Sequence, residues 1–331
     1  MATSKNKVRA LGLCSGGLDS TLAGLVLRKQ QIEVEWISFE TPFFSAGKAR
    51  RAAEQTGIPL TIENITDEYI TMLRHPNCGY GQQMNPCLDC HALMFRVAAR
   101  FMKERQFDFL FSGEVVGQRP MSQTKPSLRY VEKNSDCVGY ILRPLSAKLL
   151  PETIPEKEGL VDREQLLDIS GRGRKRQIQL AKQFGLTDYP APAGGCLLTA
   201  KGYSNRLRDL FAHQDTSTEN ELHLLRYGRH FRLNDQSKLI VGRTQADNDN
   251  LLRLHNPKTD TVIEVSHFPG PIALLPHGTK DVITLAASIC TGYSKAPVLT
   301  AVEVSITSPE SRSVVRVLGL LPSDVSKFLI E

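Results

Sequence analysis

Two stretches of the chain hold residue types whose spacing could do chemistry. In the first, Leu13-Cys14-Ser15-Gly16-Gly17-Leu18-Asp19-Ser20-Thr21 follows a strand-like apolar run and opens the apolar helix Leu22–Leu27. Gly16 and Gly17 allow the backbone to approach an anion. The amides of a helix start and the hydroxyls of Ser15, Ser20 and Thr21 can donate to phosphate oxygens. Asp19 cannot stabilise phosphate itself, and its natural task there is to hold Mg²⁺ against a leaving pyrophosphate. In the second stretch, Asn85-Pro86-Cys87-Leu88-Asp89-Cys90-His91 sets two thiols three positions apart just before a helical pattern. A third, Cys196, follows Gly194-Gly195 in the Pro- and Gly-dense run that starts at Asp188.

The three thiols admit several readings. Thiolates near a helix start are nucleophilic, so Cys87 or Cys90 could work with Cys196, passing a persulfide and then closing a disulfide. Three thiolates can equally ligate three irons of a [4Fe-4S] cluster and leave the fourth open for sulfide, and this is the favoured reading because a disulfide relay needs only two. A zinc site would need a fourth ligand such as His91. Three unconnected buried cysteines remain the plainest alternative. Cys14, Cys78, Cys137 and Cys290 read as isolated, and His91 is given no role.

The residues that must position these groups are organised in two parts. Val8–Cys14, Val34–Phe39, Leu60–Ile65, Phe109–Ser112 and Tyr140–Arg143 read as strands. Thr21–Gln30, Ala46–Thr56, Asp67–Leu73 and His91–Lys103 supply helical crossovers, which makes a parallel α/β sheet the economical solution with ligands at the carboxyl ends of its strands. A further helix is expected over Arg163–Phe184. After about residue 205 the texture becomes that of a smaller α+β domain, with strands expected at Lys238–Gly242, Thr261–Val265, Pro271–Leu275, Val298–Ile306 and Ser313–Leu318. The expected domains are therefore 1–204 and 205–331.

Composition narrows the class. Of 331 residues, 41% are hydrophobic and 23% charged, as in ordinary globular protein. No run is apolar enough to span a bilayer and no signal-peptide core is visible, so a cytoplasmic protein without membrane contact is expected. Seven cysteines are too few for a disulfide scaffold of this length. Basic residues number 41 against 35 acidic, a net +6, and the excess lies mostly before residue 201 (26 against 21), which favours a phosphate-rich partner for the first part only weakly. Arg172-Gly173-Arg174-Lys175-Arg176 could grip an RNA backbone or could be a solvated helix entry. Asp247, Asn248, Asp249 and Asn250 alternate like calcium ligands but lack the glycine and final glutamate of that loop, so loop or cap roles are expected.

Ser15-Gly-Gly-Leu-Asp-Ser20 resembles the signature of the PP-loop ATP pyrophosphatases, whereas the Gly-x-x-x-x-Gly-Lys-Ser/Thr loop of kinases and GTPases is absent. Ser112-Gly113-Glu114-Val-Val-Gly117-Gln118-Arg-Pro-Met-Ser122-Gln123-Thr124 and Leu142-Arg143-Pro144-Leu145 are similar to segments of the 4-thiouridine synthetase branch, and Asn-Pro-Cys-x-x-Cys resembles the nucleophile region of the 2-thiouridylases. The likeness covers about residues 8–200. It implies an adenine nucleotide α-hydrolase fold, ATP and Mg²⁺ as cofactors, and transfer of AMP to a carbonyl oxygen of a tRNA (or other RNA) uridine before sulfur replaces it. It also implies that Phe39 and Glu40 lie where adenine is read, and that Gly113, Glu114, Gln118 and Gln123 lie beside the nucleotide or the target base. Sulfide or a persulfide carrier would supply sulfur. Residues 220–300, with Lys238-Leu-Ile-Val-Gly-Arg and Phe268-Pro-Gly-Pro-Ile272, resemble the RNA-binding module of NFACT proteins. No stretch corresponds to that branch's THUMP or rhodanese-like parts, so target base and sulfur donor stay open, as does a homodimer. Two other functions remain: a PP-loop amidotransferase or ligase using an amine, which leaves the cysteines unexplained, and a non-catalytic RNA-binding factor with a nucleotide switch.

Overall fold

The computed structural model describes residues 7–191 and 196–331. The chain divides into two compact units, 1–196 and 197–331.

The first unit is built on five parallel strands, β1 (Arg9–Leu13), β2 (Glu33–Glu40), β3 (Leu60–Asn64), β4 (Phe109–Ser112) and β5 (Ile141–Leu142), in the order β3-β2-β1-β4-β5. Ala10 and Leu11 of the central strand and all of β4 are buried, as expected for strands covered on both faces. Between them run α1 (Leu18–Lys29), α2 (Gly47–Thr56), α3 (Thr66–Arg74), α4 (Cys87–Glu104) and α5 (Lys125–Lys133), followed by the single-turn α6 (Ile154–Lys157) and by α7 (Lys175–Gln183). The order reverses at β1, so the carboxyl ends of β1, β2 and β4 converge on the crevice where such sheets bind ligands. Gly12 permits this packing: a Cβ there would stand 2.1 Å from the Phe111 ring of β4.

The expected helix over Arg163–Phe184 is present only in its last part. Residues 163–165 form one 3₁₀ turn, and the chain then runs extended, with Leu167 N–H donating to the Pro144 carbonyl (3.0 Å) and Ile169 N–H to that of Leu145 (2.8 Å). Gly171, at φ +80°, turns the backbone before α7 begins. Leu166 and Ile169 are buried in the main core, so their apolar spacing served an extended segment rather than a helix.

The second unit holds six antiparallel strands, β6 (Arg229–Arg232), β7 (Lys238–Val241), β8 (Thr261–Val265), β9 (Ile272–Leu275), β10 (Val302–Thr307) and β11 (Arg312–Val317), in the order β11-β10-β8-β9-β7-β6. Its helices are α8 (Lys201–His213), α9 (Glu219–Leu224), α10 (Gln245–Leu254) and the apolar α11 (Ile283–Gly292), which packs on the sheet through Ala286, Ala287, Ile289 and Cys290. The Asp247–Asn250 run lies in α10, where Thr244 caps the helix, Asp247 bonds Arg243, and Asn248 Oδ1 accepts from Ile272 N–H at 3.0 Å. No described helix is long and apolar enough to cross a membrane.

Candidate active site

The turn from β1 into α1 places Ser15, Gly16, Gly17, Asp19, Ser20 and Thr21 at the carboxyl end of the central strand. Gly16 sits at φ +69°, and a Cβ on it would stand 2.1 Å from the Lys48 carbonyl carbon at the start of α2. Only glycine allows both that conformation and that approach. Ser20 Oγ and Thr21 Oγ1 donate to the Gly17 carbonyl at 2.9 and 3.1 Å, and Ser15 Oγ accepts from Gly17 N–H at 3.3 Å, so the hydroxyls gather inside the turn. Gly113, just past β4, presses on the same helix start, since a Cβ on it would lie 2.4 Å from Ser20 N. Phe39 is buried near the end of β2, and Glu40 accepts from Ala46 N–H at 3.0 Å.

Asp19 shows how a cation could fit. Its Oδ2 accepts from Gln118 Nε2 at 2.7 Å, and its Oδ1 is buried with no hydrogen-bond partner among the described residues. A withdrawn carboxylate oxygen without a donor is a natural ligand for a hard cation, so Asp19 suits Mg²⁺. Gln118 Oε1 in turn accepts from Gln177 Nε2 of α7 at 3.1 Å. Gln123 is buried, its N–H donating to the Arg119 carbonyl and its Oε1 unpartnered.

Glu114 is fully committed. Its Oε1 meets His91 Nδ1 at 3.0 Å, and its Oε2 accepts from Arg143 Nε (3.0 Å) and Ser112 Oγ (3.1 Å). Burial alone would raise its pKa, but the Arg143 guanidinium and the His91 bond overcome that and hold it at about 2. His91, which sequence reasoning left without a role, thus joins the first turn of α4 to the end of β4. Nothing in a lone His after Cys-x-x-Cys signals a carboxylate more than twenty positions away.

Cys87 opens α4, Cys90 lies one turn on, and both Cys196 and Cys87 act electrostatically on Cys90, so the fold brings each of the other two expected cysteines near it. Asn85 Nδ2 donates to Cys87 Sγ at 3.3 Å. Buried Asp89 accepts from Cys78 N–H and Tyr130 Oη at 2.8 and 2.9 Å, fixing the loop before the helix. Tyr69, buried in α3 and packed against the rings of Phe43 and Phe44, donates its hydroxyl to Cys90. Cys90 keeps a partly exposed surface, yet burial of its thiol, aided by the charges of Cys196 and Cys87, pushes it up to about 12 against the lowering Tyr69 bond.

The expected [4Fe-4S] cluster does not follow from this gathering. Among the described residues no three His, Cys, Asp or Glu side chains converge as a set that could hold a metal ion. The zinc alternative meets the same obstacle, and His91 is spent on Glu114. The Gly194-Gly195 pair before Cys196 lies outside the described residues. Of the basic run, Arg176 pairs with Asp168 at 2.6 Å, while Arg172 and Lys175 are exposed.

Comparison with known proteins agrees with this division. Residues 5–149 match the family model described as Thiamine biosynthesis protein (ThiI), and residues 228–329 that of the NFACT protein RNA binding domain. Two curated relatives, each named "Probable tRNA sulfurtransferase", are 27% identical over 173 residues (Agathobacter rectalis; 50% of this chain, 39% of the relative) and 30% identical over 146 residues (Macrococcus caseolyticus; 41% and 34%). The chain therefore spans little more than a third of the length of these relatives. Similarity to solved structures is slight. A predicted subunit of tRNA methyltransferase from Methanocaldococcus jannaschii gives a TM-score of 0.34 at 15% identity, covering 53% of this chain and 76% of that one. The C-terminal part of the fibronectin/fibrinogen-binding protein from Streptococcus suis gives 0.29 at 13%, covering 73% and 90%. Each family match covers less than half of the chain, so the likeness is to a ThiI-type sequence within the first unit and to an NFACT RNA-binding sequence within the second.

Proposed function

We propose that this protein thiolates a uridine of RNA, a tRNA above all, through an adenylated base, with sulfur delivered at Cys87, Cys90 and Cys196. The observation that carries the reading is the presence, in one unit, of the Ser15–Thr21 turn, whose Asp19 Oδ1 has no partner among the described residues, and of Cys87 and Cys196 both acting electrostatically on Cys90. The relatives' name and the RNA-binding match in the second unit support RNA as the substrate.

In this mechanism ATP lies on the turn amides and on the hydroxyls of Ser15, Ser20 and Thr21. Asp19 holds Mg²⁺, which spreads the charge developing on pyrophosphate. The uridine carbonyl oxygen attacks the α-phosphorus and pyrophosphate leaves. A persulfide on one cysteine, formed when its thiolate takes the outer sulfur of a persulfide donor and the donor's thiolate leaves, then attacks the activated carbon and expels AMP. A second thiolate attacks the cysteine-bound sulfur of that adduct, closing a disulfide and releasing the thiocarbonyl, and an external thiol reduces the disulfide for the next turnover. The Cys90 thiol, pushed up to about 12 by burial, must lose its proton before it can take either thiolate role. The protein contributes mainly proximity, because activated base and bound sulfur must meet.

Three cysteines rather than two make a cluster at the same residues the alternative to test. The experiment is pyrophosphate release and thiouridine formation with bulk tRNA, wild type beside C196A, together with iron and acid-labile sulfide content after anaerobic purification. RNA-dependent pyrophosphate release with thiolation lost in C196A is expected. Normal thiolation by C196A would sink the sulfur assignment. Four irons per chain would replace the persulfide by the cluster, and release driven by ammonia instead would favour an amidotransferase.

A further inference from the structure

Gln177, in the first turn of α7, is wholly withdrawn from solvent although it is polar, and its neighbours in sequence are the exposed Lys175, Arg176 and Ile178. Packing alone would be served better by leucine or methionine, since a buried amide costs free energy unless its groups are bonded. Its Nε2 donates to Gln118 Oε1 (3.1 Å), and Gln118 Nε2 donates to Asp19 Oδ2 (2.7 Å), while Gln177 Oε1 has no partner. Among the described residues, the one bond the buried side-chain amide makes is therefore spent on Gln118. That bond has a direction. A donor facing Gln118 Oε1 leaves the Gln118 NH₂ facing Asp19, whereas an acceptor would turn the Gln118 amide over and set oxygen against oxygen.

We infer that Gln177 is a positioning residue for Asp19, acting through Gln118 to pin one carboxylate oxygen so that the other, Oδ1, stays open to a divalent cation. This rests on the reading that the Ser15–Thr21 turn binds ATP with Mg²⁺. The relay also gives α7, whose entry carries the basic run, a polar connection to the nucleotide turn besides its packing against α1.

The test titrates Mg²⁺ against ATP binding by the full chain, measured calorimetrically, with melting temperature as a check on folding. Q177M should need about tenfold more Mg²⁺ for half-saturation, the loss expected when a bond to a charged group is no longer held in place, while binding of metal-free ATP stays unchanged. Q177E should worsen between pH 7 and pH 9, where the wild type stays flat, because its carboxyl, once ionised, can only accept. Gln118→Leu at its half-buried position gives the same readout should Q177M fold poorly, and Q118L/Q177M should be no worse than Q118L alone. A wild-type Mg²⁺ requirement in a folded Q177M, or additive losses in the double variant, overturns the relay. A wild-type chain that binds no ATP at any Mg²⁺ concentration overturns the nucleotide reading and the relay with it.

Discussion

Glu114 and Arg143 face one another inside the first unit, Oε2 to Nε at 3.0 Å, with both side chains almost wholly withdrawn from water. Removing the cation leaves a buried carboxylate with only His91 and the Ser112 hydroxyl bonded to its side chain. R143M should therefore destabilise the unit by about 3–5 kcal/mol, read by chemical denaturation. The wild type carries the matching pH signature. Glu114 is held at about 2 against 4.5 for the free group, so its contribution is complete above about pH 4.5 and drains away as pH falls toward 2. The shift amounts to about 3 kcal/mol, and acid unfolding of E114Q should lack it.

Gly16 combines a left-handed backbone with a Lys48 carbonyl carbon where its Cβ would go. G16A should cost roughly 1–3 kcal/mol and, if the proposed nucleotide site is right, weaken ATP binding more than tenfold, because the strain moves the amides of the turn. S15A, which only trims a hydroxyl, should be milder in both assays. Equal effects would show that the turn's conformation is not what matters.

The cysteines should label in a definite order. Cys78 is exposed, whereas burial pushes the thiols of Cys14, Cys90 and Cys290 up to about 11, 12 and 12 and raises Cys137 as well. Iodoacetamide at pH 8, followed by mass spectrometry, should modify Cys78 first and those four only slowly or after unfolding. In Y69F, where the bond to Cys90 is gone, Cys90 should label more slowly still.

Lys238 of β7 is buried, bonded to the Arg206 carbonyl at 3.2 Å and paired with Asp209 at 3.1 Å. For the lysine, burial outweighs pairing and lowers its pKa from 10.5 to about 8. For Asp209, two cations, Arg232 and Lys238, outweigh burial and lower it. An unfolded lysine thus binds a proton that the folded one has lost between about pH 8 and pH 10.5, so stability of the second unit should rise across that window. K238M should abolish the rise, and Asp209 keeps Arg232 at 2.7 Å in that variant.

The five strands of the first unit were legible because parallel strands buried on both faces spell continuous apolar runs, as in Phe109–Ser112. The turn from Ser15 to Thr21 was legible because glycine and hydroxyl residues between a strand and a helix have few other uses. The segment 163–174 was not, since an extended stretch bonded to residues 144–148 can carry apolar residues at helical spacing. The short β6 escaped because its sequence Arg-His-Phe-Arg looks polar, although His230 is fully buried with Nε2 at 2.8 Å from the Tyr227 carbonyl. In the candidate site, the types and spacing of the thiols pointed to their meeting. The partners that set their environment, Tyr69 from α3 and the His91–Glu114–Arg143 chain, are joined only by tertiary structure, and no local pattern announces them.

The meeting of Cys196 with Cys90 and Tyr69 also bears on the order in which the protein comes into being. Residues 69 and 87–90 emerge from the ribosome long before residue 196, and the nucleotide turn emerges before either. Cys196 acts on Cys90 and Tyr69 across more than a hundred positions of sequence, a contact of high sequence separation that can form only once the end of the first unit has been made. The surroundings of Cys90 are thus completed late in synthesis, after the Ser15–Thr21 turn and the Asn85–Cys90 segment have both emerged.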